Sequence, residues 1–267
     1  MLRQRVITAL TLAPLVLLAI LWVPHPVTMA VLALLVLAGA WEWSAFPRFT
    51  RGSARVVYVV VIGLGVAAAW VFGTEGNDAD GVIAAALLWW LIAALWVTVF
   101  PTHVNGLSAA VAGVLVLIPA WIALVRLHAM PQNGPQLLLF LLLLVVAADV
   151  GAYFSGRAFG RIKLAPRVSP GKTWEGVGGG LAAATLMAAI GVWWFKVSTA
   201  PFIALCIAVV VASIVGDLTE SLFKRHAGLK DSGSLLPGHG GVLDRVDSVT
   251  AAAPVFLLGL ERLGLFR

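Results

Sequence analysis

Long apolar runs separated by short polar segments occupy most of the chain, and this pattern predicts transmembrane helices. A helix that crosses the hydrocarbon core of a bilayer needs roughly 20 predominantly apolar residues. About nine runs approach that length, so the chain is expected to be all-α, a polytopic membrane helix bundle. The predicted spans lie near residues 6–23, 27–47, 56–73, 82–100, 105–127, 136–156, 175–195, 201–222 and 246–260.

Composition indicates the same class. Of the 267 residues, 61% are hydrophobic and 11% are charged, whereas soluble domains carry roughly 25% charged residues. Too few charges are available to cover a water-exposed surface, so a lipid bilayer is the expected surrounding. The formal net charge of +6 comes without a long basic run, which argues against nucleic acid and favours anionic lipid or nucleotide partners. The single cysteine, Cys206, excludes an internal disulfide and a cysteine-based metal motif.

The distribution of Lys and Arg predicts the orientation of the bundle. With the N-terminus in the cytoplasm, 14 of the 18 basic residues fall in inner segments and 4 fall in outer segments. The outer ones are Arg126, Lys196, Arg262 and Arg267. Because cytoplasmic loops are enriched in Lys and Arg, we predict a multi-pass protein of the cell inner membrane, with a cytoplasmic N-terminus and an outer C-terminus.

Polar residues divide the chain into two parts. Residues 1–135 are expected to form a helical scaffold, in which Glu42 is the one acid within an apolar span and is interpreted as a snorkelling or helix-packing carboxylate. Residues 136–267 are expected to carry the catalytic site, because their acids lie at inner helix ends or in inner loops. Acids at membrane depth are usually functional. These acids are Asp149, Glu175, Asp217, Glu220, Asp231, Asp244 and Asp247.

One predicted helix face concentrates polar groups at its inner end. Four residues are spaced i, i+3, i+4 and i+7 and so share a face: Asp217, Glu220, Ser221 and Lys224. Asp244 and Asp247 are three apart, and both would project from the first turn of the last helix. Clustered carboxylates suit Mg²⁺. A structural ion-pair network that includes Lys224, Arg225 and Arg245 would explain the same spacing.

The inner loop near residues 223–245 suits phosphate binding. Small residues accompany Lys230, Asp231 and His239, and Gly240 and Gly241 permit close approach of the backbone to a ligand. His239 could bind phosphate or metal, transfer a proton, or simply be solvated.

The other inner loop, near residues 157–174, contains Gly171-Lys172-Thr173, which matches the end of a P-loop. The full pattern requires glycine where this chain has Pro166, and no β-strand is predicted beside it, so a P-loop ATPase is excluded. Ser169, Lys172 and Thr173 can nevertheless all donate to a phosphate group. We expect the two inner loops to meet over one site.

The C-terminal half resembles a known family. Ser221-Leu-Phe-Lys-Arg, then four residues, Lys230-Asp-Ser-Gly, and then Leu236-Pro-Gly-His-Gly-Gly-Val-Leu-Asp-Arg-Val-Asp247 together resemble the signature of phosphatidate cytidylyltransferases, also called CDP-diacylglycerol synthases. Residues 149–160 and 169–176 are similar to the upstream motifs of that family. The resemblance covers about residues 145–250.

The resemblance implies the reaction of CTP with phosphatidic acid to give CDP-diacylglycerol and pyrophosphate, with Mg²⁺ as cofactor and a homodimer as the assembly. It implies metal binding by Asp217, Asp244 and Asp247. It implies substrate contacts from Ser169, Lys172, Thr173, Ser221, Gly240 and Gly241. It implies catalytic roles, in neutralising or positioning phosphates, for Lys224, Arg225, Lys230, Asp231, His239 and Arg245.

Two other functions remain open from the sequence. A CTP-dependent polyprenol or lipid kinase would transfer the γ-phosphoryl group to an alcohol and would use similar residues. A membrane transporter would also contain intramembrane acids. The transporter is less favoured, because the acids cluster at the inner face and no inverted repeat is evident.

Overall fold

Helices dominate the computed structural model, which describes residues 16–49, 51–72, 77–101, 103–235 and 240–266. Residues 16–21 are helical as well. The eight helices that follow are α1 (His25–Trp43), α2 (Gly52–Phe72), α3 (Asn77–Val99), α4 (Gly106–Ala129), α5 (Gly134–Phe159), α6 (Trp174–Phe195), α7 (Thr199–Ala227) and α8 (Asp247–Leu263). A 3₁₀ turn, Leu243–Arg245, precedes α8.

The predicted all-α membrane bundle is confirmed. Each of the eight predicted spans after the first coincides with one helix, and seven helices, α1 to α7, are long and apolar enough to cross a bilayer. The eighth, α8, has 17 residues and is more amphipathic. Most of the first predicted span, 6–23, lies outside the described residues, so the total of nine spans stays a prediction.

A short hairpin corrects one expectation. Strand β1 (Lys163–Ala165) pairs antiparallel with β2 (Ser169–Thr173), in the segment where no strand was predicted. Strands this short contain too few residues for an alternating pattern. Tertiary packing holds the hairpin in place, because its turn residue Val168 is buried in a cluster with Leu218 and Leu222 of α7. P-loop geometry still does not apply, since Lys172 lies within the strand and not in a glycine-rich loop after it.

Helices α5 and α6 approach each other closely through small residues. A Cβ added to Gly151 would lie 2.6 Å from the Cβ of Ala183 and 2.6 Å from the carbonyl oxygen of Gly179. Gly180 similarly faces the carbonyl oxygen of Ala148. Lipid tails are as apolar as the helix surfaces, so the hydrophobic effect does not drive helices together within a bilayer. Close backbone packing between small residues stabilises such pairs instead. The tight pair fixes the position of the hairpin that connects α5 to α6.

Both halves of the chain contribute to one core. Trp43 of α1 packs against Phe223 of α7 with ring centroids 5.5 Å apart, and Trp96 of α3 contacts the same ring at 5.8 Å. Leu243, which is fully buried, packs against the backbone of Gly39 in α1. The N-terminal helices therefore contact the elements that carry the predicted site.

Candidate active site

A cavity of about 420 Å³ opens between α5, α6, α7 and the hairpin. Its polar wall consists of Asp149, Arg157, Lys172, Thr173 and Asp217, and the remaining wall is mainly apolar or glycine. The volume lies in the range of small-molecule sites, roughly 300–1,000 Å³. A wall that combines charged and apolar groups suits a ligand that is part phosphate and part lipid.

Lys172 is the centre of charge in this cavity. Its ammonium group forms an ion pair with the carboxylate of Asp217, which lies 45 residues further along the chain. It also interacts electrostatically with Asp149 of α5 and Asp247 of α8. One cation on the hairpin therefore interacts with carboxylates from three helices. The two inner loops also contact each other, because Arg225 donates to the carbonyl oxygen of Val168, whereas a single substrate site shared by both loops stays a prediction.

The predicted polar face of α7 is confirmed. Ser221 Oγ donates to Asp217 Oδ1 at 3.3 Å, and Lys224 Nζ lies 3.1 Å from Glu220 Oε1, each pair spaced i, i+4. Glu220 is 2% exposed, so this face points into the bundle. Asp247, the first residue of α8, lies alongside and interacts electrostatically with Asp217, Glu220 and Lys224.

Asp244 is held by hydrogen-bond donors on both carboxylate oxygens. Lys224 Nζ donates to Oδ1 at 2.7 Å, Gly241 N donates to Oδ2 at 2.9 Å, and Ser232 N lies 3.1 and 3.0 Å from the two oxygens. Burial alone would raise the pKa of Asp244, but the hydrogen bonds from Lys224, Gly241 and Ser232 outweigh burial and lower that pKa below its ordinary value. Asp244 is therefore charged and closely bound within the protein.

Buried Glu42 of α1 anchors the same loop from the other side. Oε1 accepts a hydrogen bond from Val242 N at 3.0 Å, and Oε2 accepts from Leu243 N at 2.8 Å and from Ser232 Oγ at 3.0 Å. Ser232 thus contacts both Glu42 and Asp244. The carboxylate interpreted from sequence as helix packing instead binds the signature loop.

The remaining predicted site residues lie around this centre. Thr173 Oγ1 accepts a hydrogen bond from Gly176 N and so caps α6, while Ser169 lies at the far end of β2, opposite Ala165. Arg225 donates to the carbonyl oxygen of Val168 at 3.4 Å. Arg225, Lys230, Asp231 and Arg245 are exposed. The proposed role of His239 falls outside the described residues.

The two predicted nucleotide-binding glycines have distinct surroundings. Gly240 has φ +83°, a backbone conformation that glycine adopts without strain. A Cβ on Gly241 would lie 2.5 Å from Glu42 Oε2 and closer still to Ser232 Oγ, so that glycine makes room for the anchor. Contact of either glycine with nucleotide stays a prediction.

Sequence reasoning left several site residues unassigned. Asp149, Tyr153 and Arg157 line the cavity from successive turns of α5, and Arg157 donates to the Tyr153 hydroxyl at 2.9 Å. Their spacing of about one helical turn places them on one face, so the sequence alone could have indicated that they share a site. No sequence pattern connects Glu42 to a loop 190 residues away.

The carboxylates differ in their fitness for a metal ion. Among the described residues, no three His, Cys, Asp or Glu side chains form a ready metal cluster. Mg²⁺ usually needs only one or two carboxylates together with substrate phosphates and water. Both oxygens of Asp217 contact side chains, those of Ser221 and Lys172, which a ligand can displace, whereas Asp244 also accepts hydrogen bonds from the backbone N–H groups of Ser232 and Gly241, which the fold holds in place. Asp217 interacts electrostatically with Asp247 of α8, so these two carboxylates fit that requirement better than Asp244.

Comparison with known proteins relates the chain to one family. A sequence model of the cytidylyltransferase family matches residues 3–262. A phosphatidate cytidylyltransferase of Pseudomonas aeruginosa is 45% identical, with 96% of each chain covered. One of Haemophilus influenzae is 42% identical, covering 96% of this chain and 97% of the relative. One of Mycobacterium bovis is 32% identical, covering 94% and 86%.

Proposed function

The chain belongs to the cytidylyltransferase family, and from this premise we infer that it transfers the cytidylyl group of CTP to phosphatidic acid, giving CDP-diacylglycerol and pyrophosphate. The observation that carries the proposal is the Lys172–Asp217 pair in the wall of a partly apolar cavity. Phosphate can exchange for the carboxylate beside Lys172, and the adjoining apolar wall suits the lipid part of the acceptor.

The reaction is a displacement at phosphorus. A phosphate oxygen of phosphatidic acid attacks the α-phosphorus of CTP, the new P–O bond forms, and the bond to the β-phosphate bridging oxygen breaks. The attacking oxygen is already anionic, so the protein need not supply a serine or cysteine nucleophile. Positioning and charge neutralisation then supply most of the rate enhancement.

Three cationic side chains serve that neutralisation. Lys172 and Arg157 reach the cavity from the hairpin and α5, where they can bind phosphate oxygens of the reacting groups. Lys224 lies deeper, between Glu220 and Asp244, in a fixed position. Arg225, Lys230 and Arg245 are exposed, so they can attract the triphosphate of CTP.

The proposal includes a divalent cation. Asp217 and Asp247 would hold Mg²⁺, with Asp149 nearby, and Asp244 would orient Lys224 and the signature loop. When bound, Mg²⁺ would neutralise charge on the CTP phosphates and on the departing pyrophosphate. Before substrate binds, Lys172 offsets the mutual repulsion of these carboxylates.

The location of the reaction follows from its substrates. Phosphatidic acid lies in a bilayer and CTP is soluble, so the proposed site belongs at the cytoplasmic face of the cell inner membrane. The proposal also retains the homodimer that the family resemblance implies, which chemical cross-linking in native membranes would test.

The deciding experiment supplies purified protein with phosphatidic acid, Mg²⁺ and CTP labelled at either the α- or the γ-phosphate. Cytidylyl transfer puts the α-label in lipid and releases pyrophosphate in equal amount. A lipid kinase would put the γ-label in lipid. Absence of lipid product, together with solute uptake by sealed vesicles, would contradict the proposal and favour transport.

A further inference from the structure

We propose that Glu42, on α1, is a positioning residue that sets the geometry of the described parts of the signature loop, residues 230–235 and 240–247. This inference deepens the proposed function and rests on it for its catalytic part. Glu42 accepts hydrogen bonds from the loop, two glycines pack against it, and Ser232 connects it to Asp244.

The hydrogen bonds require a carboxylate. Oε1 accepts from the backbone N–H of Val242, and Oε2 accepts from the backbone N–H of Leu243. Each oxygen therefore faces a backbone donor whose direction the chain fixes. A glutamine at this position has one carbonyl oxygen and one amide group, so its NH₂ would have to face an N–H. A buried N–H left without an acceptor is costly.

Two glycines of the signature make space for this side chain. The three atoms nearest to a Cβ on Gly233 would all belong to Glu42, with Oε1 at 2.5 Å, Cδ at 2.8 Å and Cγ at 2.9 Å. Gly241 faces Oε2 at 2.5 Å. Packing on Glu42 therefore accounts for the absence of side chains at both positions, whether or not nucleotide also contacts them.

Ser232 connects Glu42 to the catalytic charges. Its hydroxyl donates to Glu42, its backbone N–H donates to Asp244, and its Oγ accepts from the backbone N–H of Asp244 at 3.3 Å. Asp244 in turn accepts from Lys224. A shift of Glu42 would therefore move the backbone at both ends of the loop, and with it the ammonium group of Lys224.

The contacts of Glu42 predict which kinetic parameter changes. Glu42 is not among the residues that line the cavity, which lies between α5, α6, α7 and the hairpin. Binding of phosphatidic acid in the cavity should persist when Glu42 is altered, while the charges that act in the transition state are displaced. The expected signature is a loss in kcat with little change in KM for the lipid.

The test compares Glu42→Gln with Glu261→Gln, which makes the same chemical change at the opposite end of α8, in the ion pair with Arg126. For Glu42→Gln we expect kcat to fall about tenfold or more and KM for phosphatidic acid to stay within about twofold. Backbone amides of residues 240–246 should exchange with solvent about tenfold faster. Glu261→Gln should leave kcat and this exchange unchanged.

A second pair of variants tests the packing of Gly233 on Glu42 without introducing the amide group of a glutamine. Gly233→Ala should lower kcat in the wild-type background, because its methyl group collides with Glu42. In a Glu42→Ala background the same substitution should cause no further loss, because the colliding atoms are gone. If Glu42→Gln does not fold, Ser232→Ala is expected to show a smaller loss in the same direction.

The outcomes are distinct. Wild-type kcat and wild-type amide exchange in folded Glu42→Gln would overturn the proposal, as would lowered stability with unchanged kcat in the folded fraction. If Gly233→Ala lowers kcat as much in the Glu42→Ala background as in the wild type, that result would also overturn the proposal. If wild-type protein forms no CDP-lipid, the proposed function fails, but the amide exchange of residues 240–246 still decides whether Glu42 anchors the loop.

Discussion

At the scale of single residues, ion pairs organise the site before any substrate arrives. Lys172 pairs with Asp217, and Lys224 pairs with Glu220 and Asp244. Lys172 also interacts electrostatically with Asp149 and Asp247, so each lysine interacts with more than one acid. Once a lysine side chain is fixed by one acid, its interaction with a second acid costs little further side-chain entropy. Phosphates that enter the cavity encounter cations whose positions are already fixed, which is how electrostatic catalysis avoids reorganisation.

Lys172→Ala should lower cytidylyl transfer by about a hundredfold, because it removes a cation that faces the transferring phosphate. The matched control is Lys163→Ala, which removes an exposed lysine of the same hairpin, at the position paired with Thr173. Both variants should remain monodisperse in detergent. Turnover by Lys172→Ala equal to that of the control would remove the hairpin from the mechanism.

Asp217→Asn and Asp244→Asn should each nearly abolish activity, but for different reasons. Asp217 is a proposed Mg²⁺ ligand, so residual activity of its variant should require more Mg²⁺. Asp244 holds Lys224 and the loop backbone, so its variant should accelerate amide exchange in residues 240–246. Asp247→Asn should be impaired at least partly.

Titration of Mg²⁺ against activity in the monodisperse variants separates these roles. Because both acids serve the same transition state, although in different roles, the Asp217→Asn/Asp244→Asn double variant should be little worse than the worse single variant. Normal turnover with an unchanged Mg²⁺ response in folded Asp217→Asn would contradict the metal assignment. Normal turnover in folded Asp244→Asn would contradict the proposal that Asp244 holds Lys224 and the loop backbone in a catalytic position.

At the scale of elements, the close pair α5 and α6 supports the cavity. Their small residues let the two backbones approach, and both helices line the cavity wall. The hairpin between them carries Lys172, so a change in the separation of α5 and α6 also changes where Lys172 lies. Stability and activity should therefore be coupled at this interface.

Gly151→Ala should lower the free energy of unfolding by about 1–3 kcal/mol, because its methyl group would overlap Ala183 and the backbone of Gly179. The control is Gly178→Ala on α6, where an added Cβ meets nothing within 4 Å. Thermal unfolding in detergent compares the two. Equal melting temperatures for Gly151→Ala and the control would show that close packing does not hold this pair.

At the scale of the whole molecule, the sequence predicted the helices and most of the site but not the contacts between distant segments. Apolar run length predicted the helices α1 to α8, and the 3.6-residue period placed Asp217 and Lys224 on one face of α7. The hairpin was missed because its strands are too short to show a period. The partnership of Glu42 with Val242 was missed because it depends on packing that no local pattern encodes.

Contacts between charged residues divide the bundle into two ends. At one end, Glu42 meets the loop before α8, and Arg48 donates to the carbonyl oxygen of His226. At the other end, Arg126 pairs with Asp80 at 2.7 Å and with Glu261 at 2.6 Å. This grouping agrees with the alternation of inner and outer segments that the positive-inside rule predicted, in which Arg126 lies on the outer side. Which end faces the cytoplasm stays a prediction.

Cysteine labelling tests that orientation. Cysteines introduced singly at positions 77 and 235, in a Cys206→Ala background, should react with a membrane-impermeant maleimide from opposite sides of sealed vesicles. Position 235 should react only from the cytoplasmic side, because the 14 basic residues assigned to inner segments include those flanking its loop. The background chain without cysteine serves as the control. Labelling of both positions from one side would contradict the predicted alternation of inner and outer loops. Labelling of position 235 only from outside would place the proposed site on the side of the membrane opposite to cytoplasmic CTP.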